Sequence, residues 1–406
     1  MKHRYLTSII KGLCFDSHKM AFVSGPRQCG KTTFAKALLH NRGAGSYFNW
    51  DETNFRRLWI KNPSQIVPKM KKYTPLVILD EIHKAKLWKR TLKGVYDTQE
   101  SPVDILVTGS ARLNVYKKGS DSLFGRYFNF RLHPFTLREI DKISQIATEH
   151  FIDKLFSRSQ KLSNSNITQF DTLFKFGGFP EPLFAESEKL ARLWKRSRID
   201  KVIREDLRDL SRIPELSQIE MLVALLPERV GSLFSIVSLR EYLEVSFPTV
   251  KRWINYLKEL YYLFEIKPYT KSISRSLRKG GKIYLWDYSE VTQEAARFEN
   301  LIACHLLKIC HYWTDSGEGQ FDLFYLRDKE KHEIDFLVTK DKIPWLPIEV
   351  KLNDTSPSPH WRKFLKQLNL TKSIQIVKAH GVWKMHSLDG SNILIASASE
   401  VLSYFI

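Results

Sequence analysis

The stretch MAFVSGPRQCGKTTFAKALL, Met20 to Leu39, decides the fold of the first part of this chain. MAFVS has the composition of a strand buried on both faces, GPRQCGKT is a glycine-bearing loop, and TFAKALL continues as a helix. Glycines in such a loop let backbone N–H groups close around phosphate oxygens at a helix N-terminus. The stretch therefore predicts a site for the phosphates of a nucleotide.

The residues of this loop have separate expected roles. Lys31 is expected to contact the β- and γ-phosphates of ATP, and Thr32 to ligate Mg²⁺. Cys29 is either an acidified, oxidisable thiol or a small residue that fills the loop, and we adopt the second interpretation. The predicted nucleotide-binding residues of the loop are Gly25, Pro26, Arg27, Gln28, Cys29, Gly30, Lys31, Thr32 and Thr33.

Two further apolar runs, LVILDE (76–81) and DILVTGS (104–110), also end in polar residues, with helical patterns between the runs. This alternation predicts a parallel α/β sheet, whose ligands bind at the carboxyl ends of the strands. Asp80 is placed to hold Mg²⁺, and Glu81 to orient or deprotonate the attacking water. Thr108 and Ser110 are expected to sense the γ-phosphate or to hold that water.

Two arginines follow the third run. Arg126, in SLFGRYFNF, and Arg112 are candidates for the arginine that stabilises charge on the transferred phosphoryl group, in the same chain or from a neighbouring subunit. The alternative for each is a surface ion pair.

The length of 406 residues exceeds one compact core of ordinary size, so two or three domains are expected. No apolar run reaches the roughly 18 residues of a membrane span, and neither terminus has the pattern of a targeting signal. We therefore expect a soluble, cytoplasmic protein with no membrane partner.

The four cysteines contain no CxxC pair, which suits a reducing compartment. CHLLKICH, Cys304 to His311, has the residue types of a zinc site. On a helix, however, Cys304 and His311 share a face while His305 and Cys310 point elsewhere. We interpret the segment as a partly buried helix.

The net charge of +20 favours a polyanionic partner such as DNA. Residues 267–286 hold six basic residues and no acid, and RLWKRSRIDKVIRED (192–206) is a second, mainly basic, helical stretch. The alternative is a solvated surface that only keeps the protein soluble.

Several motifs together resemble one family. In chain order they are GPRQCGKTTF, YFNWDE, LVILDEIHK, LVTGSARL, SLFGRYFNFRLHPFTLREI and GGFPEPL. They are similar to bacterial and archaeal AAA-type ATPases that carry a C-terminal domain of unknown function, DUF4143. The resemblance runs from about Arg4 to about Leu352, and His83 stands where the family more often has glutamine.

After a Ser- and Asn-rich stretch, FSRSQKLSNSNITQFD (156–171), which we predict to be a loop, the chain reads as helical. SLREYLE and a helix beginning near Pro248 precede a β-like YLFEIKPY. Val250, Ile254, Leu257 and Tyr261 share one helix face, and Lys251, Arg252, Asn255 and Lys258 lie toward the other.

This order is typical of a winged helix, and the family resemblance implies the same. A winged helix lays its second helix in the major groove of DNA, although such domains also serve only as protein-docking modules. The predicted DNA contacts are Lys251, Arg252, Lys271, Arg275 and Arg278.

Near the end of the chain, a helix carrying Glu299 precedes the strand QFDLFYLR, and HEIDFLVTKDKIPWLPIEVK (332–351) supplies two more strands. The order is similar to the restriction-endonuclease-like core of the PD-(D/E)XK superfamily. The resemblance implies that Asp335 and Glu349 ligate Mg²⁺, that Glu299 assists, and that Lys351 orients the attacking water.

The register of this hairpin decides whether these groups meet. A three-residue loop at 341–343 places Asp335 opposite Glu349, where two carboxylates favour a bound cation. Pro344 and Pro347 cannot donate to a ladder, so a bulge would shift the pairing and turn Asp335 to the other face. The alternative is a charged hairpin held by Glu333–Lys351 and Glu349–arginine pairs, in a domain kept as a scaffold.

The predicted fold is therefore α/β, with a P-loop sheet core followed by a helical winged-helix domain and a restriction-endonuclease-like domain. The predicted domains are 1–185, 186–275 and 276–406. One hypothesis is an ATP-hydrolysing, Mg²⁺-dependent enzyme that binds or cleaves DNA. The other is a non-cleaving nucleotide switch that binds DNA or a protein. A homo-oligomer is expected by family analogy alone.

Overall fold

The computed structural model describes residues 4–68, 74–109, 113, 123–141, 148–158, 164–207, 216–270 and 280–406. The chain divides into two compact units, Met1–Pro134 and Phe135–Ile406. The boundary predicted at residue 185 falls inside the second unit, and the division into three domains stays a prediction.

The first unit is built on a parallel sheet in the order β2-β3-β4-β1-β5. All residues of β1, β3 and β4 are buried, which is why these strands read as continuous apolar runs. The strands are β1 (Met20–Ser24), β2 (Gly45–Asn49), β3 (Leu76–Asp80), β4 (Asp104–Gly109) and β5 (Tyr127–Arg131).

Helices of this unit cover the sheet. Phe55 and Trp59 of α3 and Leu92 of α4 belong to one buried cluster with Phe22 of β1 and Leu79 of β3. The helices are α1 (Leu6–Ile10, continued as a π-helix over Lys11–Phe15), α2 (Lys31–Arg42), α3 (Thr53–Lys61) and α4 (Trp88–Asp97), with short 3₁₀ turns at Pro63–Ile66 and Ile82–Lys84.

The second unit begins with helices. They are α5 (Leu137–Asp141), α6 (Thr148–Phe156), α7 (Asn164–Phe176), α8 (Pro180–Ala185), α9 (Glu188–Asp200, continued as a π-helix over Lys201–Leu207), α10 (Leu216–Leu225), α11 (Ile236–Leu243) and α12 (Phe247–Glu259). The loop predicted for 156–171 is wrong in part, because α7 starts at Asn164. Burial of Phe170 and Leu173 in the core outweighs the polar composition of this segment.

The predicted helices of the middle region are confirmed. Ser235 and Ser246 cap α11 and α12 by accepting the N–H groups of Ser238 and Thr249, and Pro248 lies in the first turn of α12. The predicted apolar face of α12 is also confirmed, since Val250, Ile254, Leu257 and Tyr261 are buried; Tyr261 lies just beyond the end of the helix.

A mixed sheet in the order β12-β13-β11-β10-β9-β8-β6-β7 completes this unit. The long helix α13 (Glu294–Asp315) packs on β8, and α14 (Trp361–Leu368) and α15 (Ala398–Val401) follow later. The strands are β6 (Leu263–Pro268), β7 (Lys282–Leu285), β8 (Phe321–Arg327), β9 (Glu333–Lys340), β10 (Ile343–Lys351), β11 (Lys372–Val377), β12 (Trp383–Leu388) and β13 (Ser391–Ser397).

Helix α13 contains the CHLLKICH segment, as predicted. His305 and Cys310 are buried, and the Cys304 thiol faces the carbonyl of Leu285 at 3.3 Å. Among the described residues, these side chains belong to no cluster that could hold a metal ion. No helix within the described ranges is long and apolar enough to cross a membrane.

His305 is held as a neutral imidazole. Its Nε2 accepts the backbone N–H of Leu137 at 3.4 Å, so Nδ1 carries the proton and donates to the Leu301 carbonyl at 2.9 Å. Burial lowers the pKa of His305 to about 4, with Lys308 lowering it further and the Leu301 carbonyl and Glu139 opposing the shift. Protonation would therefore break the contact with Leu137.

This depressed pKa predicts a pH dependence of stability. Between pH 6.5 and about 4 the unfolded chain binds a proton that folded His305 excludes. The free energy of unfolding should therefore fall by up to about 3 kcal/mol as pH drops through this window. Urea denaturation at several pH values should show this fall reduced in His305→Gln. Exposed His150 is the control, and an unchanged pH profile in His305→Gln would refute the assignment.

Candidate functional site

The nucleotide-binding residues predicted in the first unit meet at the carboxyl edge of the parallel sheet. The register pairs Asp80 of β3 with Thr108 of β4, and Ser24 of β1 with Gly109 of β4. The loop 25–30 leaves β1 at this edge and leads directly into α2. Three strand ends and one helix N-terminus therefore surround the candidate site.

Two glycines give the loop its shape. A Cβ on Gly25 would lie 2.2 Å from the carbonyl oxygen of Leu132, so no larger residue fits there without moving the backbone. Gly30 adopts φ 93° immediately before α2, a conformation that glycine adopts at little cost. The loop can thus turn its N–H groups inward, as phosphate binding requires.

Lys31 lies inside this loop. Its side chain is nearly buried, and Nζ donates to the carbonyls of Gly25 at 2.9 Å and Pro26 at 2.7 Å. The ammonium is therefore held where phosphate oxygens would compete with the two carbonyls for its protons.

Asp80 is the centre of a hydroxyl network. Its Oδ2 accepts from Thr32 Oγ1 at 2.7 Å and from the Tyr47 hydroxyl at 2.8 Å, while Oδ1 accepts from Thr108 Oγ1 at 2.6 Å. An oxygen-only donor set in which Thr32 and Asp80 are in direct contact fits Mg²⁺, which takes few protein ligands and keeps several waters. Thr108, expected to sense the γ-phosphate or to hold the attacking water, donates to the carboxylate of Asp80 in this structure.

Tyr47 was missed as a site residue by sequence reasoning. Its position in YFNWDE, one of the family motifs, could have indicated a site residue. However, only the pairing of β2 with β3 brings its hydroxyl to Asp80. Burial, reinforced by the charge of Asp80, raises the pKa of Tyr47. The hydroxyl therefore stays protonated and acts as a donor to the carboxylate.

Glu81 has an unusual backbone conformation for its residue type, with φ 57°. Its N–H donates to the Thr108 carbonyl at 2.9 Å, and its carboxylate lies 3.5 Å from His83 Nε2 and 3.9 Å from Lys84 Nζ. Burial raises the pKa of Glu81, although Lys31 and Lys84 oppose the shift. A strained residue with a raised pKa suits a general base.

His83, the departure from the family pattern, is buried beneath the end of β4. A Cβ on Gly109 would lie 2.6 Å from its Nδ1, so the imidazole packs directly against that glycine. Histidine in place of the family's more frequent glutamine is therefore accommodated under β4, and Asp80 and Glu81 remain at the sheet edge.

Arg126 does not reach this site in its own chain. It precedes β5, beside Met20, at the amino edge of the sheet, and forms a bidentate pair with Asp97 at 2.7 and 2.9 Å. The predicted role in the same chain is contradicted by this position, and the surface ion pair describes it better. Ser110 and Arg112 lie outside the described residues.

Arg4 is a second residue that sequence reasoning did not assign to the site. It is buried and donates to the carbonyl of Cys29 at 2.9 Å and to that of His133. The Cys29 thiol is also buried, 3.4 Å from the Leu132 carbonyl. These contacts agree with a structural role for Cys29.

The Tyr47 contact leads to a testable prediction. Tyr47→Phe removes one donor from Asp80, so the affinity for Mg²⁺ in the presence of ATP should fall by about tenfold. ATP binding without Mg²⁺ should change little, because the Tyr47 hydroxyl donates to Asp80, the expected metal ligand. Calorimetric titrations with and without Mg²⁺ separate the two effects.

Tyr96→Phe is the matched control, because it removes a hydroxyl that donates to the His18 carbonyl away from the site. If Tyr47→Phe and Tyr96→Phe have the same Mg²⁺ affinity, Tyr47 does not position Asp80.

In the second unit, the register of the β9–β10 hairpin brings Asp335 and Glu349 together. The turn contains two residues, Asp341 and Lys342, both with positive φ, so the predicted three-residue loop is wrong. The ladder shifts between Pro344 and Leu346, and this bulge compensates for the shorter turn. The bulge therefore retains the facing arrangement that it was expected to destroy.

Hydrogen bonds confirm the proximity of the two acids. Asp335 donates its N–H to Glu349 Oε2 at 3.4 Å, and Asp335 Oδ2 accepts from the N–H of Val350 at 2.8 Å. Glu349 Oε1 pairs with Lys351 Nζ at 2.8 Å. The alternative pairing of Glu333 with Lys351 is replaced, since Glu333 pairs with Arg327 and Lys282.

A lysine that the sequence did not single out, Lys282, lies among these acids. Its Nζ is 3.3 Å from Glu299 Oε1 and 3.9 Å from Asp335 Oδ1. Glu299 Oε1 also accepts from the Tyr284 hydroxyl at 2.7 Å. The implied metal ligands Glu299, Asp335 and Glu349 thus converge, but their oxygens already face ammonium, hydroxyl or N–H donors. This donor set does not fit a Mg²⁺ ion as arranged.

Among the described residues, the cluster with metal-ligand spacing is a different one, Asp328, Glu330 and His332. Lys363 Nζ is 2.7 Å from Asp328 Oδ2 and also pairs with Glu330. Lys363 therefore already neutralises charge on two of the three residues of this cluster.

The predicted DNA-contacting residues of α12, Lys251 and Arg252, are exposed on the side opposite the buried face. Lys271, Arg275 and Arg278 lie outside the described residues. Of the second basic stretch, Arg198 is buried and pairs with Glu290 at 2.9 Å, so this side chain belongs to the core.

The first unit thus has the fold and the loop of a P-loop ATPase. Comparison with protein families agrees: residues 17–141 match the AAA domain, 167–293 match a domain of unknown function (DUF8612), and 295–391 match the domain of unknown function DUF4143. The chain therefore carries an AAA domain followed by a C-terminal DUF4143 domain, as the motifs predicted.

Relatives extend over most of the chain. An uncharacterized protein of Methanocaldococcus jannaschii is 22% identical over 374 residues, covering 87% of this chain and 80% of that protein. One of Haemophilus influenzae is 20% identical over 383 residues, covering 87% and 88%. Among solved structures, the Walker-type ATPase PABY2304 of Pyrococcus abyssi matches with a TM-score of 0.45 and 15% identity, covering 73% of this chain and 96% of that chain.

Proposed function

We propose that this protein binds and hydrolyses ATP and uses the nucleotide cycle to control its binding to DNA. The observation that carries the ATP part is the Thr32–Asp80 contact at 2.7 Å, formed next to Lys31 and Glu81 at one sheet edge. Thr32 and Asp80 would hold Mg²⁺, which when bound neutralises charge on the phosphates. Lys31 would bind the phosphates, and Glu81 would take a proton from the attacking water.

The DNA part is supported by the second unit. The order α11, α12, β6, β7, with a bridge between Leu233 and Lys282, supports the interpretation as a winged helix with α12 as its second helix. Lys251 and Arg252 are exposed on α12, and the net charge of +20 favours a polyanion. Protein docking by the same surface is the competing outcome of the test below.

DNA cleavage is not part of this proposal. Each carboxylate of the candidate metal centre has a donor from the protein itself, and Lys282 contacts Glu299 and Asp335. The domain therefore serves as a scaffold in the proposed function.

Replacing Lys251 and Arg252 by alanine should weaken binding to a DNA duplex. Each lost phosphate contact should lower the slope of log affinity against log salt concentration by about one. Fluorescence anisotropy at several salt concentrations measures both quantities. Arg192→Ala, an exposed arginine on α9 of the same unit, is the matched control. Equal affinity and slope in all three proteins would reject DNA binding through α12 and favour protein docking.

A further inference from the structure

Lys282 occupies an unusual position for a lysine. It is the first residue of β7, which pairs with β6 and carries the bridge to Leu233. Only 5% of its side chain is exposed. Its Nζ contacts three carboxylates, at 3.3 Å from Glu299, 3.9 Å from Asp335, and in an ion pair with Glu333.

The remaining donors around these acids come from neighbouring strands. Arg327 pairs with Glu333 at 3.0 Å, Lys351 pairs with Glu349 at 2.8 Å, and the Tyr284 hydroxyl donates to Glu299. The four acids Glu299, Glu333, Asp335 and Glu349 exceed the three cations Lys282, Arg327 and Lys351 by one, and without Lys282 they would exceed the cations by two. A buried group of carboxylates without a cation would be strongly destabilising.

The backbone also closes over this centre. Gly231, with φ 73°, lies so close to Glu299 that an added Cβ would be 3.0 Å from Oε2 and 3.2 Å from Oε1. Mg²⁺ requires near-octahedral coordination and usually keeps several waters. The approach of Gly231 leaves little space on that side of Glu299 for such a hydration shell.

We propose that the ammonium of Lys282 is the resident cation of this acidic centre, taking the place of a divalent metal between Glu299 and Asp335. The lysine thereby ties β7, at the edge of the winged-helix segment, to β9 of the nuclease-like sheet. The inference deepens the proposed non-cleaving role of the domain, but it depends only on the contacts of Lys282 and not on DNA binding.

Burial and charge explain why the ammonium is stable there. Burial alone lowers the pKa of Lys282, but Glu299, Asp335 and Glu333 outweigh this effect and raise it. The three carboxylates therefore stabilise the charged form of the lysine.

The test is a titration with Mn²⁺, followed by electron paramagnetic resonance, on the full chain without nucleotide. The wild-type protein should show no Mn²⁺ site that depends on Asp335. Lys282→Met removes the ammonium but keeps an unbranched side chain only one atom shorter, so it should gain such a site, with affinity at least about tenfold above that of the wild type. The double variant Lys282→Met/Asp335→Asn should lose the site again.

Lys282→Arg is the matched control, because it keeps the charge and should bind no Mn²⁺ at this centre. If Lys282→Met fails to fold, the double variant Lys282→Met/Glu333→Gln is titrated in its place. This double variant removes one positive and one negative charge, so the charge balance of the centre is kept. Wild-type Mn²⁺ binding that disappears in Asp335→Asn would overturn the proposal, as would a folded Lys282→Met variant without the new site.

DNA affinity and cleavage are measured on the same wild-type preparation. Loss of the DNA-binding result would reject the proposed function and leave the Mn²⁺ result standing. Cleavage that requires Asp335 and Lys351 would reject the resident-cation proposal itself.

Discussion

Glu81→Gln should lower kcat for ATP hydrolysis by about a hundredfold or more, with little change in ATP binding. Glutamine keeps the size of the side chain and the backbone contact to Thr108, but it cannot accept a proton from water. The raised pKa of Glu81, caused by burial, makes it a better base than an exposed carboxylate. Steady-state phosphate release and binding of a fluorescent ATP analogue measure the two quantities.

Lys31→Ala is the contrasting variant. Lys31 would contact the phosphates themselves, so its loss should weaken nucleotide binding as well as hydrolysis. Glu100→Gln, an exposed acid of the same unit, should behave as wild type in both assays. Turnover of Glu81→Gln at the wild-type rate would remove Glu81 from the mechanism, and unchanged nucleotide affinity in Lys31→Ala would remove the loop.

Lys308→Met should lower the free energy of unfolding of the second unit by about 3–5 kcal/mol. Lys308 of α13 is buried, pairs with Glu139 of α5, and donates to Thr136 Oγ1 at 3.0 Å. Methionine fills a similar volume but leaves the buried carboxylate of Glu139 without its cation. Urea denaturation followed by tryptophan fluorescence measures the loss.

The double variant Lys308→Met/Glu139→Met distinguishes charge from packing. An apolar pair of similar volume should recover most of the lost stability, because the uncompensated charge is removed. Lys372→Met breaks a surface pair with Asp153 at 2.8 Å and should have a much smaller effect. A small loss in Lys308→Met, or a double variant as unstable as the single one, would contradict the buried-pair explanation.

Local patterns were sufficient for much of the fold. The buried strands β1, β3 and β4 could be predicted because they are continuous apolar runs. The glycine loop before α2 could be recognised because its residues are adjacent in sequence. The proline in the first turn likewise placed the start of α12. Such features depend on neighbouring residues only.

Features that depend on pairing between distant segments were not accessible in this way. The segment after Asn164, predicted to be a loop, is helical because its apolar residues pack in the core. Arg126 lies away from the ATP site because it precedes β5, which runs parallel to β1, so it lies at the amino edge of the sheet. In the β9–β10 hairpin, the two-residue turn shifts the strand pairing by one residue and the bulge shifts it back. The register is therefore the one that a three-residue turn without a bulge would give.

The sequence by itself determined that this chain carries a P-loop ATPase core and, in DUF4143, a set of acids and a lysine at nuclease-like spacing. Only the tertiary structure decided what surrounds those acids. Lys282 looked like one more charge in a basic stretch until β7 joined the sheet and brought its ammonium to Glu299 and Asp335. Motifs record residue types along the chain, whereas the charge balance of a buried centre depends on which distant strands meet there.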